Sequence, residues 1–236
     1  MKGKLYLIPL PVGGADYRDV IPENVLGKTL GLRHFLAEDI RSARRYLRSL
    51  SRDFPIDSSR FYKISDDDDD KMLAGYLQPA MEGYDTGLMS EAGMPCILDP
   101  GEKIVLKAHS LGIKVVPLTG PSSVILALAA SGLNGENFRV HGYLPVQAPD
   151  LKKKITEIEN RSLSGEAQVF IETPFRNQRL SGFLLDTCRP STLLCIASDI
   201  TMESEEITTR TIREWKKNPP EINKRQVIYI LQAKRE

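Results

Sequence analysis

Two adjacent carboxylates, Glu38 and Asp39, close the apolar run HFLA, and a helix-patterned stretch carrying Arg41, Arg44, Arg45, Arg48 and Arg52 follows at once. A carboxylate at a strand end can position or deprotonate a hydroxyl, or it can simply cap the next helix. The arginines recur at spacings that place all five on one helical face, opposite a stripe of Ile40, Ala43, Leu47 and Leu50. Acids are missing from that face, so the guanidinium groups repel one another unless an anion neutralises them, and phosphate suits guanidinium well. A solvated surface is the competing explanation. A third constellation is GLMSEAGMPCILDPG, Gly87 to Gly101. Its glycines reach backbone conformations closed to other residues and its prolines stiffen the turn, so a ligand can lie directly against the main chain. Asp99 as N-cap and Pro100 as first helical residue account for the second half, whereas SEAGMP has no such structural task. Gly120-Pro121-Ser122-Ser123 forms a second loop of this kind, with hydroxyls and free N–H groups at a helix start.

The elements that must hold these groups follow from periodicity. KLYLIPL, HFLAEDI, RFYKIS, YDTGLMS and IKVVPLT read as strands, separated by the helical patterns IRSARRYLRSL, DKMLAGYLQPAM, GEKIVLKAHSLG and SSVILALAASG. Such alternation predicts a parallel sheet covered by helices, with ligands at the carboxyl ends of its strands. LNGENFRVHGYLPVQAPD is rich in Gly, Pro and Asn and reads as a domain connection. Beyond it AQVFIET, TLLCIASDI, EEITTRT and RQVIYILQ are strands, and LKKKITEIEN, FRNQRLSGFLLDTC and TIREWKKN are helices. The expectation is two α/β domains, residues 1–141 with a mainly parallel sheet and residues 142–236 with a mixed one.

Composition narrows the chemistry. The 236 residues are 41% hydrophobic and 27% charged with a net charge of +1, so a nucleic-acid partner must be held by a local patch. Val115 to Leu133 is too broken by glycine, proline and hydroxyls to span a membrane, and the start MKGKLYLIPLPVGG lacks a signal-peptidase pattern. Three cysteines, Cys96, Cys188 and Cys195, lack C-x-x-C spacing, and the three histidines His34, His109 and His141 lie apart. A cytoplasmic chain without metal is expected. The LGKT at Leu26 to Thr29 lacks the first glycine of a phosphate-binding loop, the run Asp66 to Asp70 reads as a helix cap and acidic first turn, and Cys96 reads as a small buried thiol.

The stretch from Gly87 to Leu133, followed by FRVHGYLP, resembles the core of the tetrapyrrole-methylase-like, class III, S-adenosylmethionine methyltransferases. It is most similar to the branch that 2′-O-methylates cytidine in 16S ribosomal RNA. KLYLIPLPVGG, LAEDIR, FIETPFR and SDITMESEE resemble further motifs of that branch, so the likeness runs across nearly the whole chain. The resemblance implies a homodimer, no metal, and S-adenosylmethionine held in a cleft between two domains. Carried onto this sequence, it places Pro11, Gly13, Gly93, Met94, Cys96, Ile97, Ser123, Val124, Ile171, Glu172 and Ala197 at the cofactor. RNA is the implied substrate, with Arg41, Arg44, Arg45 and Arg48 as its binding face and Glu38 and Asp39 as catalytic candidates.

Departures from the branch pattern concentrate on the substrate side: Gly14, Ile40-Arg41, Glu91, Met94, Ser198-Asp199 and Met202 stand where the branch has other residues. Two alternatives to the RNA enzyme therefore stay open, a methylase of tetrapyrroles or other small molecules and a non-catalytic binding protein.

Overall fold

In the first unit the apolar runs become five short strands, β1 (Lys4–Ile8), β2 (His34–Ala37), β3 (Arg60–Lys63), β4 (Thr86–Met89) and β5 (Lys114–Pro117). All pair in parallel, in the order β3-β2-β4-β1-β5. Every residue of β4 is buried, as a central strand covered on both faces requires. Between the strands lie α1 (Tyr17–Val20), α2 (Glu23–Gly31), α3 (Ile40–Leu50), α4 (Asp70–Tyr76), α5 (Gln78–Met81) and α6 (Glu102–Ser110).

Side-chain alternation sends Ile8, Phe35, Ala37 and Met89 to one face, where they meet Leu32, Ala43, Tyr46 and Leu47 of the α2 and α3 side. Leu5, Leu36 and Leu88 point the other way, into Leu73, Leu77, Ile104 and Ala108 of α4, α6 and the residue following α4. The chain leaves β1 towards the β3 edge and leaves β4 towards the β5 edge. β1 and β4 are neighbours whose connections run in opposite directions, so their carboxyl ends mark the switch point where sheets of this kind place their ligand crevice.

The second unit holds α7 (Ser123–Ser131), β6 (Phe138–Tyr143), α8 (Ala148–Ser162), β7 (Ala167–Glu172), α9 (Asn177–Thr187), β8 (Leu193–Ser198), β9 (Glu206–Thr211), α10 (Ile212–Lys217) and β10 (Val227–Gln232). Its sheet, β6-β7-β10-β8-β9, is mixed: β6 and β7 are parallel and the other pairs antiparallel. Val124, Ala127 and Leu128 of α7 cover Val169, Cys195, Ala197 and Ile230 on one face. Leu151, Ile155, Leu180, Leu184 and Trp215 cover the other, where Phe170 and Tyr229 stack at 5.5 Å across the strands.

The computed structural model describes residues 1–233. Packing divides the chain between Ser122 and Ser123, ahead of the 141/142 boundary expected from composition. The reason is α7, whose apolar sequence finds its cover on the second sheet. Within the stretch read as a connection, Phe138–Tyr143 is a strand, its register broken by a bulge between Val140 and Tyr143 with Gly142 at φ 65°.

The helix α3 forms where the pattern places it. Asp39 Oδ1 accepts the Ser42 N–H at 2.7 Å as N-cap, and Ala43 and Leu47 are buried. Ser51 closes the helix, so Arg52 lies beyond it and only four arginines share the helical face; the Arg52 carbonyl instead accepts from the Arg48 guanidinium. Leu47→Ala should cost about 2–5 kcal/mol in urea unfolding, by cavity formation under α3. Arg45→Ala, at an exposed position, should stay within about 0.5 kcal/mol.

Candidate active site

Two backbone hydrogen bonds tie the loops that leave β1 and β4. Leu10 N–H donates to the Gly93 carbonyl at 2.9 Å and Gly93 N–H to the Leu10 carbonyl at 3.1 Å. Gly93 sits at φ 68°, and a Cβ there would touch the Pro121 carbonyl and Val12, both at 3.5 Å. Cys96 and Leu98 also hold positive φ without being glycine, a strained arrangement that persists only where surroundings enforce it. At Gly120 a Cβ would overlap Pro9 at 2.2 Å, so the loop after β5 packs against the loop after β1. Three loops thus converge into one ledge of main chain.

Asp99 and Pro100 do not open α6. Gly101 is the cap, at φ 133°, and the helix starts at Glu102. The chain makes its turn at the glycine, and the Ser90 hydroxyl donates to the Ala92 carbonyl at 3.1 Å. In the acidic run, Asp69 rather than Ser65 caps α4, accepting from Met72 N–H at 2.8 Å.

The paired candidates Glu38 and Asp39 separate. Asp39 is occupied by its capping bonds to Ser42, which hold its carboxyl below the ordinary range. Glu38 Oε2 is buried without a hydrogen-bond partner. Burial pushes the Glu38 carboxyl above its usual range, and the charges of Asp99, Glu91 and Asp66 push the same way. Burial also raises Asp99, and the Glu91 charge adds to it. Neither residues 9–15 nor residues 90–101 contain a lysine, arginine or histidine, so the crevice favours a neutral or cationic ligand over a phosphate. The Cys96 thiol is pushed up to about 11, first by burial and then by Asp99 and Glu102, which keeps it protonated and unreactive. No group of three or more His, Cys, Asp or Glu among the described residues is placed to hold a metal ion.

Pro11 and Gly13 lie in the first loop, Gly13 at φ 69°, while Met94 and Ile97 flank Gly93 and Cys96 in the second, with Ile97 exposed. Of the second-unit residues, Val124 and Ala197 are buried together beneath α7, with Ile171 packed against them. Ser123 is the first residue of α7. Glu172 is engaged locally, accepting from Thr173 N–H at 2.6 Å and from Arg176 Nε at 2.9 Å. Arg41, Arg44, Arg45 and Arg48 are exposed, and none of them joins an ion pair among the described residues. Leu10 carries no signal in the sequence, because it contributes only backbone.

Comparison with known proteins converges on one group. A family model described as Tetrapyrrole (Corrin/Porphyrin) Methylases matches residues 30–216. The chain is 29% identical over 210 residues to ribosomal RNA small subunit methyltransferase I of Vibrio cholerae, covering 89% of this chain and 69% of that protein. Identity is 30% over 215 residues with the protein of the same name from Halalkalibacterium halodurans, covering 90% and 70%. Among solved structures, the methyltransferase CobJ aligns with a TM-score of 0.62 at 15% identity, over 98% of this chain and 94% of that one. Uroporphyrin-III-C-methyltransferase from Thermus thermophilus aligns at 0.54 and 15% identity with the same coverage. These two likenesses show a shared fold.

Because the folded state raises the Glu38 pKa, ionising that group opposes folding. The penalty is absent below the ordinary glutamate value of 4.5, grows as pH rises through the raised pKa, and is constant above it. Glu38→Gln should therefore raise the thermal midpoint at neutral pH and lose that advantage in acid below 4.5. A shift independent of pH would contradict this environment for Glu38.

Proposed function

This chain belongs to the tetrapyrrole methylase family, and on that premise we propose that it transfers the methyl group of S-adenosylmethionine to small-subunit ribosomal RNA, the 2′-hydroxyl of a cytidine being the acceptor its motifs imply. The observation that carries the reading is the bridge between the loops after β1 and β4, a ledge of main chain whose residues 9–15 and 90–101 include acidic and no basic side chains. That donor set fits a ligand with a polar amino-acid end and a positive sulfonium, and Ile97 and Leu98 leave apolar surface open for its remaining body. S-adenosylmethionine, when bound, supplies a methyl group activated for in-line displacement.

The chain's own residues do the rest. Pro11, Gly13, Gly93, Met94, Cys96 and Ile97 hold the donor in the first unit. Alignment and exclusion of water are the main contributions. Glu38, its Oε2 without a partner and its pKa raised, takes the proton of the acceptor hydroxyl, whereas Asp39 keeps α3 in register with it by capping. The guanidinium groups of Arg41, Arg44, Arg45 and Arg48 bind phosphate. The protein acts as a cytoplasmic homodimer in this reading. Among the described residues no helix is long and apolar enough to cross a membrane.

Calorimetry with S-adenosylmethionine, followed by transfer of labelled methyl to 30S particles and to naked small-subunit RNA, tests the proposal. Binding with no transfer to any RNA would shift the acceptor to a small molecule, and absent binding would leave a non-catalytic protein. Gly93→Val should abolish donor binding, since it forces a branched side chain onto φ 68° beside the Pro121 carbonyl. Glu38→Gln should keep donor affinity and lower turnover by about 10²–10⁴-fold. Wild-type activity should rise with pH through the raised Glu38 pKa, because the base form is required.

A further inference from the structure

The edge strand β3 lies beside the arginine face, and its side chains alternate between the two sides of the sheet. Phe61 packs with the α3 side, stacked on Phe35 at 5.2 Å, and Arg44 of α3 lies over the same ring at 4.9 Å. Tyr62 and Ile64 pack on the opposite side. By the two-residue period Lys63 shares the α3 side with Phe61, whereas Arg60 shares the other side with Tyr62. The charges agree: Lys63 and Arg41 both act on the Asp39 carboxyl at the start of α3, and Arg60 acts on His34.

Lys63 is exposed and joins no ion pair among the described residues. Two groups of the acidic run that follows it are engaged across the sheet. Asp70 pairs with Lys107 at 2.7 Å, and the Asp66 carbonyl accepts from Lys103, both lysines on α6 across the sheet. The Asp66 carboxylate, in contrast, acts on Glu38 at the end of β2. Along α3, Arg41 stands at the same end as Glu38 and Arg48 about 10 Å further down the helix, at 1.5 Å per residue.

We propose that a single strand of RNA follows a directed track, from Arg48 up the arginine face of α3 and across to Lys63 at the sheet edge, which leads it to Glu38. This inference rests on the RNA reading above and assigns Lys63 as a phosphate contact close to the reacting end. Arg60, three residues earlier on the same strand, faces away and takes no part. Phe61 is already sandwiched between Phe35 and Arg44, so it orients the Arg44 guanidinium and is not free to stack on a base.

The test titrates the full-length protein into a fluorescein-labelled single-stranded RNA of mixed sequence across a series of salt concentrations, with heparin as a second polyanion. Lys63→Glu should weaken RNA binding about tenfold and lower the salt slope by about one or two. Arg60→Glu should change neither by more than about twofold, and both variants should keep the wild-type thermal midpoint and donor affinity. Equal losses in the two variants would show a diffuse charge effect and overturn the track. So would unchanged binding by Lys63→Glu, with the RNA reading left intact by normal wild-type binding. Wild-type protein that binds no RNA at low salt would remove the RNA reading and the track together. An equal dependence of heparin binding on Lys63 would replace RNA by a general polyanion.

Discussion

The reciprocal hydrogen bonds between Leu10 and Gly93 are the constraint on which the site depends. They join the chain exits of two neighbouring parallel strands where their connections part, towards β2 in one case and β5 in the other. Without that bridge the two exits would be separate loops. With it, the strained Cys96–Leu98 segment is anchored at its start by the Gly93 bridge, and Gly101 turns the chain into α6. Proteins keep such strain where the surroundings over-determine it, and here Pro9, Gly120 and Pro121 crowd the same ledge.

Charge follows from this geometry. The ionisable carboxylates of the ledge have no basic residue beside them in its two loops, and burial together with like charge leaves Glu38 harder to ionise than an exposed glutamate. The arginines are set apart on α3, whose register Asp39 fixes through its cap. The carboxylate Glu38 and the arginine face that begins at Arg41 thus meet at the end of β2, three residues apart in sequence. That separation is what lets the proposed reading give a chain with a net charge of only +1 both a cationic and an anionic ligand.

Much of this was legible in the sequence, for identifiable reasons. Helix α3 is fixed by its apolar stripe, and its ends match the pattern IRSARRYLRSL, although only the observed cap at Ser51 excludes Arg52. The alternation of strands and helices gave the parallel sheet. Strand β6 was hidden because its Gly142 bulge and Gly- and Asn-rich approach imitate a linker. Helix α2 was hidden as well, since ENVLGKTLG contains two glycines and little apolar periodicity. The site was legible as a loop and not as roles. Glu38 and Asp39 are neighbours of the same chemistry, and only hydrogen-bond partners distinguish a cap from a free carboxylate. Likewise Asp99 reads as a cap until Gly101 is seen at φ 133°. Strand order, which makes β1 and β4 adjacent, is a tertiary fact that no local pattern encodes.

Hydrogen–deuterium exchange with and without S-adenosylmethionine tests the central claim most directly, because it reads the backbone ledge itself. Donor binding should slow exchange together in residues 9–15 and residues 90–101, including the amides of Leu10 and Gly93. Donor binding that left both segments unprotected, or that protected only one of them, would contradict a ledge built by their union.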